Sequence, residues 1–130
     1  MPEYVPECMQ ELLRNYHSSE NITIQDIAIF HAKFENIHPF QDGNGRVGRM
    51  IIFRECLHNN LIPVIIKDTD KAAYLRYLNN AQMHNDIVGL TEYFKTEQID
   101  YMEQTFSLLF DYRENMSTEM IKEELLKQTI

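Results

Sequence analysis

Residues 38–49 read His-Pro-Phe-Gln-Asp-Gly-Asn-Gly-Arg-Val-Gly-Arg, and this run decides how the chain on either side of it can fold. Before it, Ile27, Phe30, Phe34 and Ile37 recur at steps of three and four, the spacing of one helical face. After it, Met50 to Leu57 is a strongly apolar helical stretch. Pro39 ends the first helix immediately after His38, and the glycines place the start of the second near Asn44. A Gly-rich loop therefore joins two helices. Free backbone N–H groups and the positive end of a helix dipole favour an anion at such a start, and glycine lets the backbone approach it closely.

The remaining pattern predicts an all-α chain. Val5, Met9, Leu12 and Leu13 outline a first helix that stops at Ser18-Ser19-Glu20-Asn21, and Thr23 is placed to cap the second through the N–H near Asp26. The third helix is expected from about Asn44 to Asn59, packed through Met50, Ile51, Phe53 and Leu57, as the central and most buried one. Residues 60–66 include Pro63 and an apolar Val-Ile-Ile run, but a lone strand has no partner, so an extended connection is expected. A helix from Asp68 to Leu78 follows. Asn85-Asp86 should precede a long helix carrying Ile87, Leu90, Phe94, Met102, Phe106 and Leu109, and Ser117 should cap a last amphipathic helix. The expected organisation is a core domain over 1–112 and a C-terminal amphipathic helix over 113–130.

Composition narrows the function. The 130 residues suit one domain, and 44% hydrophobic content with seven Phe and seven Tyr excludes disorder. Apolar runs fall short of the ~20 residues of a membrane span, and the N-terminus has no secretory pattern, so a cytoplasmic protein without membrane contact is expected. A net charge of −8, with no cluster of Lys and Arg, argues against nucleic acid as a partner. Arg46, Arg49, Arg54 and Lys67 gather near the Gly-rich run and predict a local positive site suited to a polyphosphate. Cys8 and Cys56 are read as buried free thiols.

The run at 38–49 resembles the HPFx(D/E)GNGRxxR motif of the Fic family (Fic/Doc superfamily), with every specified position filled. The segments Ala28 to Ile37 and Asn60 to Ile66, followed by Tyr74 and Leu78, resemble the family's flanking helices, which extends the likeness over roughly residues 3–110. The resemblance implies a Fic-like helical bundle around a central helix with the anion-binding loop between two helices. It makes His38 the general base, a role suited to a side chain whose ordinary pKa is near ~6.5. Asp42 would hold Mg²⁺, with a helix cap as its alternative role. Gly43, Asn44, Gly45, Arg46, Gly48 and Arg49 would bind the nucleotide, Arg46 meeting leaving-group charge and Arg49 the terminal phosphate. Pro39 and Phe40 would be structural, the Phe40 ring anchoring the loop in the core. Tyr74 and Gln82 fall at positions near the adenine ring in the family, although as bare sequence they read as surface or packing residues. His31 and Glu35 share a face with His38 and are read as supporting it or packing.

The implied reaction is transfer of AMP from ATP to a Ser, Thr or Tyr hydroxyl of a target protein. Members that phosphorylate instead usually carry Lys at the second Gly of GNG, so Gly45 favours nucleotidyl transfer. The family's target-docking β-hairpin flap lies upstream of the motif and has no counterpart in the 37 residues before His38. The alternative is thus a catalytically weak or inactive nucleotide-binding or regulatory fragment. The family's inhibitory [S/T]xxxE(G/N) pattern is also missing, so inhibition would come from a partner or antitoxin, and the long C-terminal helix permits a homodimer. A remote alternative is a di-metal carboxylate bundle, since Glu35 and His38, and Glu55 and His58, form two Glu-x-x-His units.

Overall fold

The structure is a computed structural model that describes residues 4–110, 122–123 and 126–127. Its helices are α1 (Val5–His17), α2 (Ile24–Ile37), α3 (Asn44–His58), α4 (Lys71–His84) and α5 (Val88–Phe110), with a short 3₁₀ turn at Asp68–Asp70 leading into α4. No strand occurs among the described residues, so the all-α expectation holds. The proposed terminal helix over 113–130 and its Ser117 cap lie outside the described residues except at 122–123 and 126–127.

The centre of the bundle is α2, not α3 as the apolar content had suggested. α2 packs against α1, α3, α4 and α5, and buries Ile24, Ile27, Ala28, Phe30, His31, Ala32 and Phe34. It starts at a reciprocal cap. Thr23 Oγ1 accepts from the Asp26 N–H at 3.2 Å, while Asp26 Oδ2 accepts from the Thr23 N–H at 2.9 Å, an arrangement worth about 1 kcal/mol.

α3 meets α2 along a different face from the expected one. Of the expected packing residues only Ile51 packs against the core; Met50, Phe53 and Leu57 are exposed, Met50 by 70%. The buried side is Asn44, Gly48, Ile52 and Cys56, a strict step of four, with Glu55 beside it. Gly48 sets that rotation, because a Cβ there would lie 2.1 Å from Glu35 Oε1 and 3.2 Å from His31 Cε1 of α2. Tyr16 of α1 reaches the same helix, its hydroxyl donating to Glu55 Oε1 at 2.9 Å.

Residues 60–66 run extended and without a partner strand, as expected. Pro63 and Val64 are buried, and the fully buried Gln98 of α5 donates to the Ile62 carbonyl at 2.8 Å, supplying a bond that a ladder would otherwise give. α4 runs past Leu78 to His84, and Gln82 donates to the Ala32 carbonyl of α2 at 3.2 Å. Asp86 Oδ1 accepts from the Val88 N–H at the start of α5, where Leu90, Phe94, Met102 and Phe106 are buried but Leu109 is exposed. Cys56 is a buried free thiol; Cys8, expected to be buried as well, is exposed on α1. Among the described residues no helix is long and apolar enough to cross a membrane.

Candidate active site

The last turn of α2 delivers His38 to the loop. Its N–H still donates to the Phe34 carbonyl at 3.1 Å, but its backbone is left-handed, φ 55°, which turns the chain out of the helix just before Pro39. The His38 side chain is exposed. Across the loop, Asn44 opens α3 and is buried to 4% exposure. Its Oδ1 accepts from the Phe40 N–H at 2.9 Å, its Nδ2 donates to the Phe40 carbonyl at 2.7 Å, and the same Nδ2 lies 3.1 Å from His38 Nε2. The loop is therefore closed by an amide side chain. The Phe40 ring, expected to anchor it in the core, is 50% exposed. Asn44, read from the motif as a phosphate ligand, faces inward here and holds the loop backbone and the imidazole.

The anion-binding turn follows. Gly43 is left-handed, φ 80°, and α3 begins after it with no side-chain cap, so the N–H groups of its first turn keep their binding capacity. The Gly43 N–H itself is engaged, donating to Asp42 Oδ1 at 2.8 Å. The guanidinium groups fold back over this turn. Arg46 Nη2 lies 3.5 Å from where a Gly43 Cβ would be, and Arg49 Nη1 lies 3.0 Å from the corresponding point on Gly45. Arg46 and Arg49 also line a cavity of about 380 Å³ floored by Ile52, Phe53 and Val64.

Of the four bases expected to gather here, two are occupied. Arg54 is bonded to Glu55, and Lys67 Nζ lies 3.5 Å from Asp100 Oδ2. Arg46 and Arg49 form no ion pair among the described residues, so their charge is concentrated on the loop. Asp42 is exposed and contributes one carboxylate. That suits Mg²⁺, which keeps most of its water and takes few protein carboxylates when phosphate oxygens complete its shell.

Behind the loop lies a buried polar layer. Tyr74, assigned from the motif to the adenine, is 3% exposed, and its hydroxyl sits 2.5 Å from His31 Nε2. Gln82 is engaged with α2 as described above. Both placements are those of packing residues, the reading that their bare sequence favours. Gly48, expected to touch the nucleotide, faces His31 and Glu35 instead. Burial, reinforced by the Arg49 charge, pushes the His31 pKa down to about 3, so that ring is neutral. Burial also raises Glu35 against the opposing pull of Arg49. For Glu55, burial works upward, but hydrogen bonds from Arg54 and Tyr16 outweigh it and lower the pKa. Among the described residues no group of three or more His, Cys, Asp or Glu is placed to hold a metal ion.

Sequence reasoning missed the Asn44 bridge and the His31–Tyr74 pair. The available signal for Asn44 was its place at the head of the step-of-four series through Gly48, Ile52 and Cys56. That series marks it as inward-facing.

The Fic/DOC family model matches residues 1–55. The chain is 30% identical over 126 residues to "Probable protein adenylyltransferase aq_aa38" of Aquifex aeolicus (strain VF5), across 96% of the chain and 38% of that protein. It is 42% identical over 64 residues to "Protein adenylyltransferase Fic" of Nematostella vectensis, covering 49% of the chain and 15% of the relative. Against "Protein adenylyltransferase fic-1" of Caenorhabditis elegans it is 33% identical over 85 residues, 63% of the chain and 17% of the relative. The chain thus spans well under half the length of the curated relatives it matches. With the motif residues gathered on one loop and these matches converging on one family, the chain belongs to the Fic/DOC family.

Proposed function

We propose that this chain catalyses transfer of AMP from ATP to a hydroxyl side chain, Ser, Thr or Tyr, of a target protein. One observation carries the reading: an exposed imidazole, His38, lies across a short loop from an uncapped helix start flanked by two guanidiniums that form no ion pair among the described residues. The names of the relatives, protein adenylyltransferases, support the same reaction.

In this scheme the first turn of α3 and Arg46 bind and orient the phosphates, while Arg49 neutralises the terminal phosphate. His38 takes the proton of the attacking hydroxyl as the new O–P bond forms at the α-phosphorus and the bond to pyrophosphate breaks. Arg46 offsets the charge that grows on the departing group. Asp42 would hold Mg²⁺, which supplies further neutralisation of phosphate charge when bound.

The test is label transfer from ATP carrying ³²P at the α-position, with Mg²⁺ and candidate target protein. His38→Ala should reduce transfer about 10²- to 10⁴-fold while leaving ATP binding in place. ATP binding that weakens in Arg46→Ala, with no protein labelled by the unaltered chain, would overturn transfer. It would favour a nucleotide-binding regulatory role instead.

A further inference from the structure

We propose that Asn44 is a positioning residue that fixes the tautomer of His38, placing the ring proton on Nδ1 and the lone pair on Nε2. This rests on His38 being the base only for its catalytic meaning; the tautomer itself follows from the contacts of Asn44.

The orientation of the Asn44 amide is dictated by the loop backbone. Oδ1 meets the Phe40 N–H at 2.9 Å and Nδ2 meets the Phe40 carbonyl at 2.7 Å. A flipped amide would set NH₂ against N–H and oxygen against oxygen, losing both bonds and creating two repulsions. Nδ2 carries two hydrogens and no acceptor. One goes to the Phe40 carbonyl, and the other faces His38 Nε2 at 3.1 Å. A ring nitrogen that meets an amide donor must accept, so Nε2 is the unprotonated nitrogen and the neutral ring holds its proton on Nδ1. Free histidine side chains favour the opposite tautomer, with the proton on Nε2. Asn44 therefore inverts an intrinsic preference, and its burial at 4% exposure holds the amide in the orientation that the loop backbone dictates.

The arrangement names the atom that does the work. A substrate hydroxyl must deliver its proton to Nε2, and to reach it must take the place of the Asn44 N–H. That releases an amide donor at the first residue of α3, where the transferred phosphoryl group is to be bound. At transfer the hydroxyl proton passes to Nε2, the O–P bond forms, the bond to pyrophosphate breaks, and the imidazolium holds one proton on each nitrogen. A ring locked the other way would present an N–H to the hydroxyl and could not act as base at that atom.

Long-range ¹H–¹⁵N correlation spectra of the ¹⁵N-labelled full chain read the tautomer directly, at a pH of about 8, well above the ordinary histidine value of ~6.5. The His38 signals are assigned by their loss in His38→Ala. The unaltered protein should show a protonated Nδ1 and a lone-pair Nε2. Asn44→Ala should move the ring toward a mixture enriched in the Nε2–H form. Asn44→Asp, which offers only oxygens, should give a ring protonated at Nε2, with circular dichroism confirming that each variant is folded. A dominant Nε2–H form in the unaltered protein, or the same tautomer in either folded variant, overturns the proposal. These spectra do not depend on activity: the expected tautomer together with full label transfer by His38→Ala would defeat the catalytic reading and leave the role of Asn44 intact.

Discussion

Two glycines of the loop look equivalent on paper and are not. Gly43 sits at φ 80°, where a Cβ is strained whatever the space around it, whereas Gly45 has ordinary helical backbone and only Arg49 Nη1 in its way at 3.0 Å. Gly43→Ala should cost about 1–2 kcal/mol in stability. Gly45→Ala should leave the melting temperature unchanged or slightly higher, because alanine favours helix, yet weaken ATP binding by displacing the Arg49 guanidinium. Thermal unfolding and calorimetric titration of both variants separate the two effects; equal losses of stability would defeat the distinction. At this scale much of the site was legible. His38, Asp42, Gly43, Arg46 and Arg49 lie together on one loop and the helix start after it, because their positions are local to one short run of sequence. Which way Phe40, Asn44, Tyr74 and Gln82 face was not legible, because inward or outward facing depends on how α2, α3 and α4 are rotated against one another, and no single loop records that.

The rotation of α3 shows why. Reading by size favours Met50, Phe53 and Leu57, but close approach of two helices is governed by the smallest residue at the crossing. Gly48 is that residue, and the face it defines contains an asparagine and a cysteine, which a search for large apolar side chains passes over. Gly48→Ala should destabilise by about 1–3 kcal/mol in urea unfolding, since Glu35 must leave its place and His31, only 1% exposed and held by Tyr74, must give as well. Glu35→Ala in the same chain should recover part of that loss by opening space for the new methyl group. Additive losses in the double variant would mean that the contact with Glu35 is not what Gly48 relieves. The helix boundaries, by contrast, were largely readable from caps such as Thr23 with Asp26, whose chemistry is complete within four residues.

For the molecule as a whole, two buried ionisable groups pull stability in opposite directions with pH. Glu97 of α5 is 2% exposed and faces Asp70. Burial first, and the neighbouring Asp70 second, raise its pKa from 4.5 to about 7, with Asp100 adding to the rise and Lys67 opposing it. The fold therefore favours the protonated carboxyl. That contribution is whole below pH 4.5 and is lost as pH rises through about 7. His31 behaves oppositely, its lowered pKa giving stability that is present above 6.5 and lost as pH falls toward 3. Glu97→Gln, which mimics the neutral acid, should gain on the unaltered protein as pH is raised from 5 to 8 in urea unfolding. A gap between the two proteins that stays constant over that range would contradict this account.

The start of α3 is shaped by Gly43 and by the hold of Asn44 on Phe40, so the shape belongs to the protein and not to its ligand. A cradle of that kind does not ask what molecule its oxyanion is attached to. On the proposed reading, inorganic phosphate or sulfate from a buffer would compete for it, and two preparations of the same chain, one kept in chloride and one in phosphate, should differ in their apparent affinity for ATP.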